Sequence, residues 1–168
     1  MIQIDFVLLS WLFAISVTVH NLEEAIWLPK WSVSAGRWHH PVEPTVFRIA
    51  VIILTIFAYI SSMLASTGEK QSIGAYLVTG YAFAMLLNVV FPHLIATAAL
   101  KKYAPGLTSA LFLNLPITAG LLYHAVIEGY IDLKKFYFIG PVITIGILVS
   151  IPVLFAAGNW LFVHVKKS

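Results

Sequence analysis

The chain contains no cysteine, which removes disulfides, thiolate metal ligands and a cysteine nucleophile from consideration. It is also short of charge. Only 10 Lys+Arg and 7 Asp+Glu occur in 168 residues, or 10%, where a soluble domain carries about 25%. So few charges cannot cover a water-facing surface, which excludes a soluble enzyme, a nucleic-acid binder and a disordered chain as first readings. The net charge of +3 therefore does not imply nucleic acid; basic residues in short loops are what membrane orientation and anionic headgroups need. No nucleotide-binding loop, Gly-x-Ser-x-Gly elbow or redox-cofactor fingerprint occurs. Met1 to Phe6 holds Asp5 but no Lys or Arg, so it does not read as a cleavable signal, and the first hydrophobic segment is expected to stay in the mature protein.

What the chain has is apolar length: 60% of its residues are hydrophobic. Five continuous apolar runs are expected as helices, over residues 6–27, 46–65, 73–100, 107–130 and 138–164. Each is about 20 residues or longer, the length that crosses a bilayer at about 1.5 Å per residue. Pro92, Pro116, Pro141 and Pro152 inside the runs are tolerated in membrane bundles. A β-barrel is excluded because the runs do not alternate. The expected fold class is all-α, an integral membrane bundle of five transmembrane helices forming one domain, with no internal repeat. One connection, Lys30 to Thr45, is long enough to hold structure of its own.

Basic residues set the expected orientation. Lys30, Arg37, Arg48, Lys101, Lys102, Lys166 and Lys167 lie on one side, Lys70, Lys134 and Lys135 on the other. The imbalance puts the C-terminus in the cytoplasm and the N-terminus outside, in the plasma membrane, with Trp27, Trp31, Trp38 and Tyr103 as a cytoplasmic aromatic belt.

The segment that does not belong in a membrane is His20-Asn21-Leu22-Glu23-Glu24. An ionised group at bilayer depth costs about 2.5–3.5 kcal/mol on insertion scales, and such groups normally face a bundle interior with a partner. At about 100° per residue, Glu23 lies about 60° to one side of His20 and Glu24 about 40° to the other, so all three share a face. Two carboxylates this close need a proton, a metal or a basic side chain between them. Three readings follow. A divalent metal site would use imidazole nitrogen and carboxylate oxygen, a donor mixture that suits zinc or iron. An acid–base pair would divide the carboxyls into proton donor and acceptor. A salt-bridged helix end would take Arg48 as partner. The candidate catalytic residues are His20, Glu23 and Glu24.

Other polar residues fall near that depth. His93 lies about 10 Å below the interface by helix rise. Pro92 before it frees the carbonyl of Asn88. On a regular helix Thr97 shares a face with His93, while Asn88 points toward a neighbouring helix as packing. Arg48, as an anchor for an anionic group, Asn88 and Thr97 are the candidate substrate contacts. His39 and His40 read as interfacial loop residues, with Pro41 opening the second helix and His40 near its cap. His124 and Glu128, four apart on the fourth run, form a weak second site or an ion pair with Lys134 or Lys135. They lie about 25 Å from that helix's start, at the opposite membrane face.

The string His20-Asn21-Leu22-Glu23-Glu24 at the end of a first span resembles the signature of the HXXEE-domain family, small multipass membrane proteins of uncharacterised function. Asn88 and His93 in the third span, then Tyr103-Ala104-Pro105-Gly106 with Thr108, look similar as well, so the likeness runs from the first to the fourth span. It implies that His20, Glu23, Glu24 and His93 form one site, a candidate metal set for one divalent ion, zinc or iron. Thr97 stands where the family's pattern allows a second histidine. The expected arrangement has the first, third and fourth helices enclosing a polar pocket open to the cytoplasm, with Pro105-Gly106 turning the chain into the fourth helix and Thr108 capping it. The functional expectation is an intramembrane enzyme acting on a lipid or isoprenoid-like substrate, its partners being membrane lipids and not nucleic acid. A small transporter or proton-coupled carrier and a non-catalytic scaffold subunit are the rival readings.

Overall fold

The computed structural model describes residues 4–36 and 40–165, with side chains through Trp160; Arg37, Trp38, His39, Lys166 and Lys167 lie outside the described residues. The described chain is all helical. Its five long helices are α1 (Phe6–Ser32), α2 (Pro44–Thr67), α3 (Ile73–Leu100), α4 (Leu107–Ile127) and α5 (Leu133–Val165). All five are long and apolar enough to cross a membrane. Helix α1 packs against α2 and α4, α3 packs against α2, α4 and α5, and α2 also touches α5.

Small residues let the helices approach. Ala14, Ala58, Ala65, Ala75 and Ala82 are buried at the seams, as expected where apolar solvent removes the hydrophobic drive and close packing must hold the bundle. At the α2–α3 turn, a β-carbon on Gly74 would stand 2.3 Å from the Leu64 carbonyl carbon, so only glycine allows that approach. Larger apolar residues point outward: Ile49, Ile52, Ile56 and Ile60 form an exposed stripe at helical spacing along α2.

Helix ends differ from expectation where a cap went unread. Helix α1 continues through Pro29 to Ser32. Proline lacks the N–H that would bond the Ala25 carbonyl, and Arg48 Nε donates to that carbonyl instead at 3.3 Å. Helix α2 starts at Pro44, not Pro41, because the Glu43 side chain accepts the Val46 N–H at 2.7 Å and Pro44 suits the first helical position. Hydrogen bonds from backbone N–H groups hold the Glu43 carboxyl below its ordinary range. Helix α4 stops at Ile127, where Gly129 (φ 75°) turns the chain and Ile131 N–H closes on the Ala125 carbonyl at 3.0 Å. Helix α5 begins at Leu133, five residues early. Asp132 accepts the N–H groups of Lys134 and Lys135 at 2.7 and 3.2 Å, which lower its carboxyl from the ordinary range.

Two irregular stretches shape the interior. Residues Val89–Leu94 of α3 form a kink between two helical pieces, where Phe91 leaves helical geometry altogether (φ −126°, ψ 121°), and residues Ala110–Asn114 of α4 are π-helical. Pro92 explains the first, since it removes an intrahelical hydrogen bond.

Candidate functional site

Helix α1 runs antiparallel to α4, and each helix caps the other. At one end Glu23 reaches the start of α4: its Oε1 accepts the Gly106 N–H at 2.8 Å and the Tyr103 hydroxyl, and its Oε2 accepts the Ser109 N–H at 3.0 Å and the Ser109 hydroxyl at 2.5 Å. A helix N-terminus has unpaired N–H groups and a positive dipole end, so it suits a carboxylate. At the other end the Glu128 carboxylate accepts the Phe6 N–H at 3.2 and 3.3 Å and holds His124 Nδ1 at 2.6 Å. The His124–Glu128 pair is therefore part of a helix-end clamp. Its expected lysine partners lie elsewhere, with Lys135 Nζ donating to Gln71 at 3.1 Å.

Glu24 faces the other way. Its Oε1 lies 3.7 Å from His20 Nε2 and 3.3 Å from His93 Nε2. Asn88 Nδ2 stands 3.1 Å from both of those nitrogens. The two imidazoles meet edge to face, 4.9 Å between centroids, and both are buried. The ligand-capable atoms of His20, Glu24 and His93 all lie within 4.8 Å of one another, so these three residues could hold a metal ion.

A relay fixes the His20 ring. The Ser109 hydroxyl gives its hydrogen to Glu23, an acceptor, which leaves an oxygen lone pair toward His20 Nδ1 at 3.1 Å. His20 thus carries its N–H on Nδ1 and presents a bare Nε2 to Glu24, His93 and Asn88. Metal-binding histidines characteristically donate the second ring N–H in this way. The geometry fits such an ion further: donors about 2.0–2.2 Å from zinc at tetrahedral angles stand about 3.3–3.6 Å apart, close to the two carboxylate–imidazole separations.

Gly106 packs against the back of this trio. A β-carbon there would lie 2.5 Å from His93 Cε1, 2.9 Å from His20 Cε1 and 3.1 Å from Glu24 Cγ, and its φ of 93° is also a glycine conformation. Tyr103 closes the outside. Its hydroxyl sits 2.7 Å from Thr108 Oγ1 and receives the Thr108 N–H at 3.2 Å. Partial burial first, then its bond to Glu23, raises the Tyr103 phenol above its ordinary value. The expectation that Thr108 caps α4 does not hold: Glu23 accepts the N–H groups there from across the interface.

The other expected contacts divide. Asn88 joins the centre of the site rather than pointing away. On a regular helix it would stand about 140° from His93, but the kink at Phe91 and Pro92 brings the two residues onto one side. Thr97 lies apart, its hydroxyl receiving the Ala104 N–H at 3.1 Å and so holding the loop after α3. Arg48 pairs with neither glutamate; it lies on the outer side of α1 and α2. His40 is exposed at the α1–α2 connection. Ser109 was not anticipated, and its only sequence signal was a hydroxyl three residues after Gly106. Nor was Asn114, fully buried at the end of the α4 π-helical stretch, with no hydrogen bond to either side-chain polar atom among the described residues.

His20, Glu24 and Asn88 form the polar end of a cavity of about 300 Å³. Its walls come from α1, α2, α3 and α5 and are apolar, among them Leu28, Phe47, Val51, Met85, Ile147 and Phe155. This corrects the expectation of a polar pocket between α1, α3 and α4. Those three helices do supply the polar side chains, but the space in front of them belongs to the opposite side of α1 and α3.

Residues 11–121 match a family described as "Protein of unknown function with HXXEE motif". The chain is 38% identical over 147 residues to the "Uncharacterized protein YrkK" of Bacillus subtilis (strain 168), covering 88% of this chain and 93% of that one. No solved structure matches.

Proposed function

The chain belongs to the HXXEE-motif family, and on that premise we propose that it is a membrane-embedded enzyme acting on a lipid or isoprenoid-like substrate, with His20, Glu24 and His93 holding one divalent metal, zinc or iron. The observation that carries this reading is the placement of His20, Glu24 and Asn88 at the polar end of an otherwise apolar cavity. A chain lying in that cavity brings its end to His20, Glu24 and Asn88. Two-histidine, one-carboxylate donor sets suit zinc with an open position and iron(II) alike. A metal held there supplies a Lewis acid and a water that ionises near neutral pH.

The chain's own residues have separable tasks. Glu23 and Ser109 orient His20. Asn88 stands within hydrogen-bond distance of both imidazoles and lines the cavity; with the two ring nitrogens on a metal, its amide would be free to hold a substrate oxygen. Glu24 supplies the one carboxylate of the donor set and faces the cavity. The basic residues favour a plasma-membrane orientation with the His20 end toward the cytoplasm. Against a through-path for ions, Phe13, Val17 and Leu121 lie buried along α1 and α4 between the His20 and His124 clusters, which supports a dead-end site.

The test is a lipid comparison of membranes from cells lacking the gene, complemented either by the wild type or by Glu24→Gln. The reading expects one lipid class to accumulate in the deletion and in the Glu24→Gln strain, and to return to normal with the wild type. Identical lipid profiles in all three strains would remove it.

A further inference from the structure

The cavity's charge and size restrict what can occupy it. Among the described residues, besides Tyr81, whose hydroxyl is spent on the Leu54 carbonyl at 3.2 Å, the titratable residues lining it are His20 and Glu24. No lysine or arginine among the described residues lines it. Arg48 belongs to a separate groove between α1 and α2, and Lys30 to a depression beside Trp27 and Trp31. Asn21 lines the wall, but its amide is committed to the Val51 carbonyl and Thr55 at 3.1 and 2.8 Å. A phosphate or carboxylate head takes up several charge-assisted donors; here it would meet a carboxylate and a single amide group. A cation shared by Glu24 and two histidines leaves one net positive charge and no further donors to surround such a head. An uncharged oxygen needs only one donor or one coordination position.

Size points the same way. About 300 Å³ is at the lower limit of ligand cavities, roughly ten water-sized groups at about 30 Å³ each. That holds a segment of one apolar chain, with the rest of the molecule lying outside. The rim contains Phe91, 61% exposed, and Leu148, 46% exposed, so the way in lies between α3 and α5, beside the point where Phe91 leaves helical geometry.

We propose that the occupant of this cavity is one apolar chain of a lipid bearing an uncharged, oxygen-containing head (an alcohol, aldehyde or ester carbonyl), inserted between α3 and α5 with that head against Glu24, His20 and Asn88. This rests on the lipid-enzyme reading and narrows its substrate class.

Photo-crosslinking of the full chain in detergent tests it, using three diazirine probes that share one alkyl chain and end in an alcohol, a carboxylate or a phosphate monoester. The expected result is labelling of peptides containing Phe47, Val51, Met85 or Ile147 by the alcohol probe, competed by the unlabelled alcohol, with the two anionic probes at least about tenfold weaker. Ala84→Trp, which fills the cavity from α3, abolishes that labelling; Ala50→Phe fills it from α2 and serves if the first variant fails to fold. Equal or stronger labelling of the same peptides by an anionic probe overturns the uncharged-head inference and leaves the lipid-enzyme reading standing. Absence of cavity labelling by all three probes overturns both.

Discussion

Glu23 and Glu24 are sequence neighbours that serve different structures: Glu23 accepts two backbone N–H groups and two hydroxyls at the start of α4, while Glu24 lies 3.3 Å from His93 Nε2 on the cavity side. One residue step on a helix turns a side chain by about 100°. That step is enough to send one carboxylate to a helix N-terminus and the other to a pair of imidazoles. The motif therefore combines a clamp with a ligand, and the two functions separate by mutation.

Glu23→Ala leaves two buried N–H groups and two hydroxyls without their acceptor. It is expected to lower stability by about 2–4 kcal/mol, since bonds to charged groups are worth about 1.5–3 kcal/mol each and some rearrange to water. Glu24→Gln removes no cap and should leave the melting temperature within a few degrees of wild type while abolishing metal retention. Thermal unfolding in detergent, followed by metal analysis of the same samples, separates the two. Equal loss of stability in both variants would contradict the division of labour.

Ser109→Ala keeps the three ligand-capable residues but removes the acceptor for His20 Nδ1–H. Loss of such a supporting partner typically costs about 10–100-fold in metal affinity. Zinc titration with a competing chelator should show that weakening, with stoichiometry still one per chain, and Ser109→Thr should restore most of it. Unchanged affinity in Ser109→Ala would mean that the relay does not set the His20 ring.

Gly106→Ala meets the site twice, through a left-handed backbone and through a β-carbon 2.5 Å from His93 Cε1. Strained backbone alone costs about 1–3 kcal/mol. The variant should unfold at a lower temperature and retain less metal even where folded. A wild-type melting curve would contradict the packing described.

Arg48→Met removes the donor to the Ala25 carbonyl that Pro29 frees, and little else. The expected cost is about 1 kcal/mol or less for one exposed hydrogen bond, with metal retention unchanged. Loss of metal in this variant would return Arg48 to the site.

Much of this was legible in the chain. Apolar runs of spanning length located all five helices, because lipid-crossing segments need length and composition more than tertiary context. The grouping of His20 with Glu24 follows from i,i+4 spacing on a regular helix, whereas His93 joins them through the family resemblance, its depth in α3 being compatible with that. The misreadings share a cause. A regular-helix projection turns Asn88 away from His93 because it does not anticipate the kink at Phe91 and Pro92. Glu23 was grouped with Glu24, and Thr108 was assigned the cap of α4, because a cap supplied from another helix has no local pattern. Arg48 was matched to the nearest acidic residues, while the carbonyl freed by Pro29 was the acceptor it bonds. The cavity's walls depend on α2 and α5, which carry no polar marker of their own.

Metal content of detergent-purified protein, by inductively coupled plasma mass spectrometry, tests the central claim most directly. Wild type, His20→Ala, His93→Ala and Glu24→Gln are each loaded with zinc or iron(II) and washed with a weak chelator. The account predicts one ion per wild-type chain and nearly none in any of the three variants. A wild-type chain that retains no ion after loading, or variants that retain it fully, would contradict the shared site of His20, Glu24 and His93.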